Sequence, residues 1–235
     1  MKLNTNSNTY ILAYASLLVI AVAFVLAYFS QALKPIQDKN VALDKKKQII
    51  AALNIRDVND NQVEEYYNKL VEADEIINEK NEVLSAGKPG GENDGFKLNG
   101  GDFKVGKLAL FVCNVDGQKK YVMPVYGMGL WGGISGYIAI NADKETIYGV
   151  YFNHEGETAG LGAEIKDNQK WQQQFCGKHL FADGNQDAVA LSVCKKVDNP
   201  ANQVDGVSGA TLTCDGVTRM IHEGLGKYLV FLKDK

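Results

Sequence analysis

Leu108-Ala-Leu-Phe-Val-Cys-Asn-Val115, then Asp116-Gly117, then Gln118-Lys-Lys-Tyr-Val-Met-Pro-Val125 is the stretch that decides the fold. Two largely apolar runs joined by Asp-Gly read as a β-hairpin, because that dipeptide accepts the positive φ angles a tight turn demands. Working outward, residues 135–140 and 146–152 read as two more strands, joined by residues 141–145 closely enough for a second hairpin, and residues 188–193 as another. Helical spacing appears at residues 164–175 and 215–231. In the second of these Val217, Met220, Ile221, Leu225, Tyr228 and Leu229 make one apolar face. The expectation is an α+β fold: a mostly antiparallel sheet with flanking helices.

The amino-terminal end has another texture. No residue between Leu3 and Leu33 is charged, and residues 10–29 carry no polar group beyond hydroxyls. About 20 such residues, at 1.5 Å each, cross a hydrocarbon layer of about 30 Å. Tyr10, Tyr28 and Phe29 stand at the two ends, where aromatic rings favour the headgroup level. The competing explanation is a cleaved signal peptide, with Lys2 as its positive start and Ser30-Gln31-Ala32 as a loose cleavage site. The apolar stretch is longer than the roughly 7 to 15 residues of a usual signal core, so we read a retained transmembrane helix over residues 10–31 after a short tail, residues 1–9. Lys34, Lys39, Lys45, Lys46 and Lys47 outweigh Lys2 and, counted literally, put the large C-terminal part in the cytoplasm. Long domains cross membranes regardless of such counts, so the lysines leave topology open.

Residues 32–95 read as a helical connector and linker. Residues 61–83 have apolar residues three and four apart among charges, which predicts an amphipathic helix. Residues 85–95 hold glycines and a proline and predict a loop with nothing to pack. A soluble domain over residues 96–235 follows. The net charge of −3 argues against a nucleic-acid partner. Four cysteines and three histidines show no metal-ligand spacing. A Cys176–Cys194 disulfide is conceivable, but free thiols are expected, since isolated cysteines usually act as small buried hydrophobes. No Rossmann fingerprint, Walker A motif or GxSxG elbow is present, so nothing supports a freely exchanging nicotinamide site.

Three segments remain that suit a flat, phosphorylated ligand. Val204-Asp-Gly-Val-Ser208-Gly209-Ala210-Thr211-Leu-Thr213 precedes a helix expected to start near Cys214 or Asp215, and a helix N-terminus favours a phosphate. The plainer account is an N-cap at Thr213 or Asp215 after an ordinary turn. Residues 127–136 set five glycines around Trp131, and residues 154–162 set three glycines and a hydroxyl in a loop. Taken singly, each is equally well an ordinary glycine-rich turn.

Together and in this order, they resemble the C subunits of the sodium-translocating NADH:quinone oxidoreductases, within the FMN-binding domain family. The resemblance rests on the apolar anchor, residues 129–139, His154-Glu-Gly-Glu-Thr-Ala-Gly-Leu-Gly162, Lys170-Trp171-Gln172 with Phe175, and Ser208-Gly-Ala-Thr-Leu-Thr213. It implies an FMN cofactor joined covalently, through its phosphate, to the hydroxyl of Thr211 by a separate flavin transferase that uses FAD. Thr211 is then an acceptor and no catalytic residue is implied. Ser208, Gly209, Ala210 and Thr213 are implied neighbours of the phosphate. Thr158 and Leu161 are implied ring contacts, with Glu157 and Gly160 in the same loop, and Gly129, Trp131 and Gly133 are further candidates. Ala159 departs from the proline expected there. The resemblance also implies an electron-carrying subunit of an inner-membrane NADH:ubiquinone reductase that exports sodium, with other subunits as partners. It puts the soluble domain in the periplasm, against the lysine count. The rivals are the equivalent flavin subunit of the Rnf ferredoxin/NAD complex and a membrane-anchored binding module without redox chemistry.

Overall fold

The structure, a computed structural model, describes residues 7–234; residues 1–6 of the expected tail, Lys2 included, lie outside the described residues. The chain forms two units, Met1–Asp44 and Lys45–Lys235. Starting in the first, α1 (Asn8–Ala52, 45 residues) is long and apolar enough to cross a membrane, and its apolar side chains from Ile11 to Val41 stand exposed. Helix α1 continues through Pro35 to Ala52.

The second unit is built on a six-stranded sheet. After α2 (Val63–Leu70) come β1 (Val71–Ile77), β2 (Val83–Ser85), α3 (Gly100–Lys104), β3 (Leu108–Val115), β4 (Gln118–Met128), β5 (Gly133–Asn141) and β6 (Ile147–His154). Then follow α4 (Glu164–Asp167), α5 (Gln169–Gln173), β7 (Ser192–Cys194), β8 (Gln203–Asp205), α6 (Thr211–Gly226) and α7 (Leu229–Lys233). The sheet runs β2-β1-β3-β4-β5-β6 with every pairing antiparallel, and β7 and β8 form a separate parallel pair. The expected Asp-Gly hairpin joins β3 to β4, with Asp116 at φ 51° and Gly117 at φ 79°.

Both faces of the sheet are covered, which explains why β3 reads as an almost unbroken apolar run. Leu108, Leu110, Met123, Val125 and Ile138 pack with Val217, Met220, Ile221 and Leu225 of α6 in one core. Each such side chain, fully buried, contributes roughly 1.5–3 kcal/mol. Phe111 and Cys113 alternate with these along β3 and are equally buried. Helix α2 packs on β1 and β3. The last turn of α1 buries Ile49, Ile50 and Ala52, while Asn54 and Arg56 donate to the carbonyls of Tyr148 and Val150 on the sheet edge.

Two expectations need correction. The helix read over residues 61–83 ends at Leu70; residues 71–77 are β1, paired with β3 from Val71 opposite Cys113 to Ile77 opposite Leu108. Pairing with a neighbour far along the chain outweighs local helical spacing. The segment at residues 85–95 is not free of packing either. Asp74, fully buried, accepts from the backbone N–H groups of Lys88 (3.1 Å), Asp94 (3.0 Å) and Phe96 (3.3 Å). One carboxylate thereby folds that loop onto β1. Smaller shifts also occur: β7 is displaced to residues 192–194, and residues 164–175 break into α4 and α5.

Candidate functional site

Thr211 is the first residue of α6, so the helix starts three to four residues earlier than the sequence suggests. Its N-cap is Ala210, and no side chain caps the helix. The first N–H groups of this 16-residue helix therefore lack the Ser, Thr, Asp or Asn partner usual at that position. Neither Thr213 nor Asp215 is the N-cap.

The approach to Thr211 is held from several sides. Strand β8 pairs with β7 and ends at Asp205, whose carbonyl accepts from Trp171 Nε1 at 2.7 Å and whose N–H donates to Gln174 Oε1 at 3.3 Å. The turn closes through Ala210 N to the Val207 carbonyl at 3.1 Å, with Gly209 at φ 77°, where a side chain would be strained. Val207 N donates to Cys214 Sγ at 3.3 Å. Burial pushes the Cys214 thiol up, so it serves here as a neutral acceptor. Thr211 opens on a cavity of about 320 Å³, lined also by Asp205, Ser208, Gly209, Lys195 and Asp215. Ser208, Gly209 and Thr211 are at least partly exposed; Ala210 is buried.

Glu157 joins the three segments singled out in the sequence. It is 7% exposed, and both carboxylate oxygens are engaged. One accepts from Trp131 N at 2.9 Å and the other from Thr213 Oγ1 at 2.6 Å. Its own N–H donates to His154 Nδ1 at 3.2 Å. Burial pushes the carboxyl up. The bonds from the Thr213 hydroxyl and from the Trp131, Leu130 and Gly132 amides prevail and hold it below the usual carboxylate range. A Cβ on Gly129 or on Gly162 would collide with this carboxylate, which is why both positions are glycine.

Outside this buried joint the surface is apolar. Trp131 is 69% exposed, Leu212 58% and Leu161 42%. Leu161 lies against Gly209, where an added Cβ would stand 2.9 Å from Leu161 Cδ2. Thr158 and Gly160 are exposed on the same loop. A larger cavity, about 770 Å³, is elsewhere: Phe103, Tyr126, Ile134, His154, Glu223 and Lys227 line it, and it includes none of the implied flavin contacts.

Comparison with known proteins agrees with this geometry. The FMN-binding domain family matches residues 129–226, a span containing the segments at 154–162 and 204–213 whole and that at 127–136 from Gly129 onward. The C subunit of the Na(+)-translocating NADH-quinone reductase of Haemophilus ducreyi is 31% identical over 255 aligned residues, covering 99% of this chain and 97% of that protein. The chain belongs to the NqrC family, the C subunits of Na(+)-translocating NADH-quinone reductases. The corresponding protein of Pasteurella multocida is 30% identical, covering 92% of this chain and 91% of its own. The crystal structure of the Parabacteroides distasonis member superposes with a TM-score of 0.78 at 36% identity, covering 86% of this chain and 98% of that one. NqrC of Shewanella oneidensis gives 0.66 at 27% identity, covering 83% and 100%.

Within this family fold the implied site residues divide. Thr211, Ser208 and Gly209 share the cavity; Thr158, Gly160, Leu161 and Trp131 are exposed, and of these Leu161 lies against Gly209. Glu157 and Thr213 are covered and bonded to each other, so they stand beneath the site. The sequence reading missed Lys195 and the thiol of Cys214. Only the fold brings β7 and the second turn of α6 to Thr211, and no local spacing announces either.

Proposed function

We propose that this chain is the flavin-carrying, electron-transferring subunit of an inner-membrane complex that oxidises NADH, reduces ubiquinone and exports sodium. FMN is held by a phosphoester to Thr211, and residues 96–235 carry the site. The observation that carries the reading is the uncapped start of α6. An exposed Thr hydroxyl and unpartnered first-turn N–H groups meet at one cavity, where a phosphate serves as the missing cap. Membership of the NqrC family and the FMN-binding match supply the cofactor's identity.

Attachment takes a separate flavin transferase with FAD as its substrate. Thr211 Oγ1 forms a bond to the phosphorus on the flavin side, the pyrophosphate P–O bond breaks, AMP leaves and the hydroxyl loses its proton. No electron changes hands. Bound FMN supplies the electron-transfer chemistry. The chain's residues would hold and orient it: Ser208 and the α6 amides would bind the phosphate, and Leu161, Thr158 and Trp131 would border the ring. A tether keeps the cofactor at high effective concentration, which suits a relay. The partners are the other subunits of the complex, reached from a single-pass anchor with the domain on the periplasmic side.

Co-expression with a flavin transferase, followed by denaturing electrophoresis, tests this. A fluorescent band is expected for the wild type and none for Thr211→Ala. A wild-type chain without fluorescence would sink the reading.

A further inference from the structure

We propose that Glu157 is a positioning residue for flavin attachment, acting through Thr213 to set the direction in which Thr211 points. The inference rests on Thr211 being the acceptor. A helix turns about 100° per residue, so Thr211 and Thr213 project about 200° apart. Holding the Thr213 hydroxyl inward on Glu157 (2.6 Å) therefore turns Thr211 outward to the cavity. An uncapped first turn ordinarily frays. Here Ala210 stands at the N-cap, and the Thr213–Glu157 bond pins the turn from within, beside the bond from Val207 N to Cys214 Sγ.

The same carboxylate fixes the facing loop through Trp131 N, and its own backbone is fixed by His154 Nδ1. Thr211, Trp131 and Leu161 are thus referred to one buried point. As an ionised acceptor, Glu157 commits the Thr213 proton, so that hydroxyl has none to donate to a phosphate. Direct contact with the flavin ring is excluded for Glu157 by its cover. A carboxylate below a phosphate-bearing helix is electrostatically adverse, so geometry is what the residue supplies. An electrostatic role predicts faster attachment on removing the charge; a positioning role predicts slower.

The test uses the full chain in detergent with purified transferase and FAD. Attachment rate, its KM–kcat division and the final attached fraction are measured for Glu157→Gln, Thr213→Val and Thr213→Ser, together with thermal unfolding. For Glu157→Gln and Thr213→Val the expected result is a kcat lower by roughly tenfold or more, since a small misplacement of a reacting atom costs that much. KM and the final attached fraction should hold, and Thr213→Ser should keep the wild-type rate because it retains the donor. Wild-type or faster rates in Glu157→Gln and Thr213→Val overturn the inference. So does a loss that only tracks the folded fraction. If the wild type itself takes no flavin, the functional proposal fails; if it does and Thr211→Ala does not, a normal Glu157→Gln defeats this inference alone.

Discussion

Trp171 donates its indole N–H to the Asp205 carbonyl at 2.7 Å, which ties α5 to the strand that leads into the Thr211 turn. The ring is 4% exposed and packs edge-on against Phe175. Trp171→Phe keeps an aromatic ring but loses the bond and part of the volume. We expect a loss of about 1–3 kcal/mol, read as a lower urea midpoint with unchanged slope. An unchanged midpoint would show that the tie is dispensable.

Two glycines of α6 make a contrasting pair. A Cβ on Gly216 would stand 2.5 Å from the Met128 carbonyl oxygen, where backbone meets backbone. One on Gly226 would meet nothing within 4 Å. Gly216→Ala should destabilise by about 1–3 kcal/mol through overpacking. Gly226→Ala should stabilise by up to about 1 kcal/mol, because alanine loses less entropy in a helix. Thermal unfolding of the two variants should move in opposite directions.

What the sequence made legible follows from how local each signal is. The β3–β4 hairpin and the apolar face of α6 are written in neighbouring residues and appear as read, and the antiparallel sheet follows from them. Strand β1 was hidden because Val71, Ala73, Ile76 and Ile77 extend among charges the helical spacing of the apolar residues before them, and only pairing with β3 makes the segment a strand. Asp74 looked like one more surface charge. Its role as acceptor for three amides up to 22 residues away is tertiary. The motif around Thr211 was visible, but its start as a helix was misplaced because Ala210 is a poor capping residue. Glu157 was placed in the right loop yet read as a contact. Its partners lie 26 and 56 residues distant.

The hydrogen bonds to Glu157 make stability depend on pH. Its folded pKa is depressed below the ordinary 4.5, so the unfolded chain binds the proton more readily. The stabilisation is therefore complete well above the unfolded value and is lost as pH falls through the folded one. The difference in urea midpoint between the wild type and Glu157→Gln should be greatest near neutrality and shrink below about pH 4.5. A difference that stayed constant down to about pH 3 would mean the carboxylate's ionisation is not what the fold uses.

The side of the membrane on which the domain lies can be read from a natural cysteine. All four cysteines are free; Cys176 is exposed, Cys194 half-buried, and Cys113 and Cys214 buried. Cys176 donates weakly to Asn54 Oδ1 at 3.8 Å, and partial burial raises its thiol, so labelling calls for mildly alkaline buffer that favours the thiolate. A membrane-impermeant maleimide added to cells with a permeabilised outer membrane should label the wild type if the domain is periplasmic. Labelling should fall sharply in Cys176→Ser, which separates this thiol from Cys194. Protection in intact cells, with labelling only after the inner membrane is opened, would put the domain in the cytoplasm. The lysines after the anchor would then have set the topology, and flavin attachment would have to occur on that side.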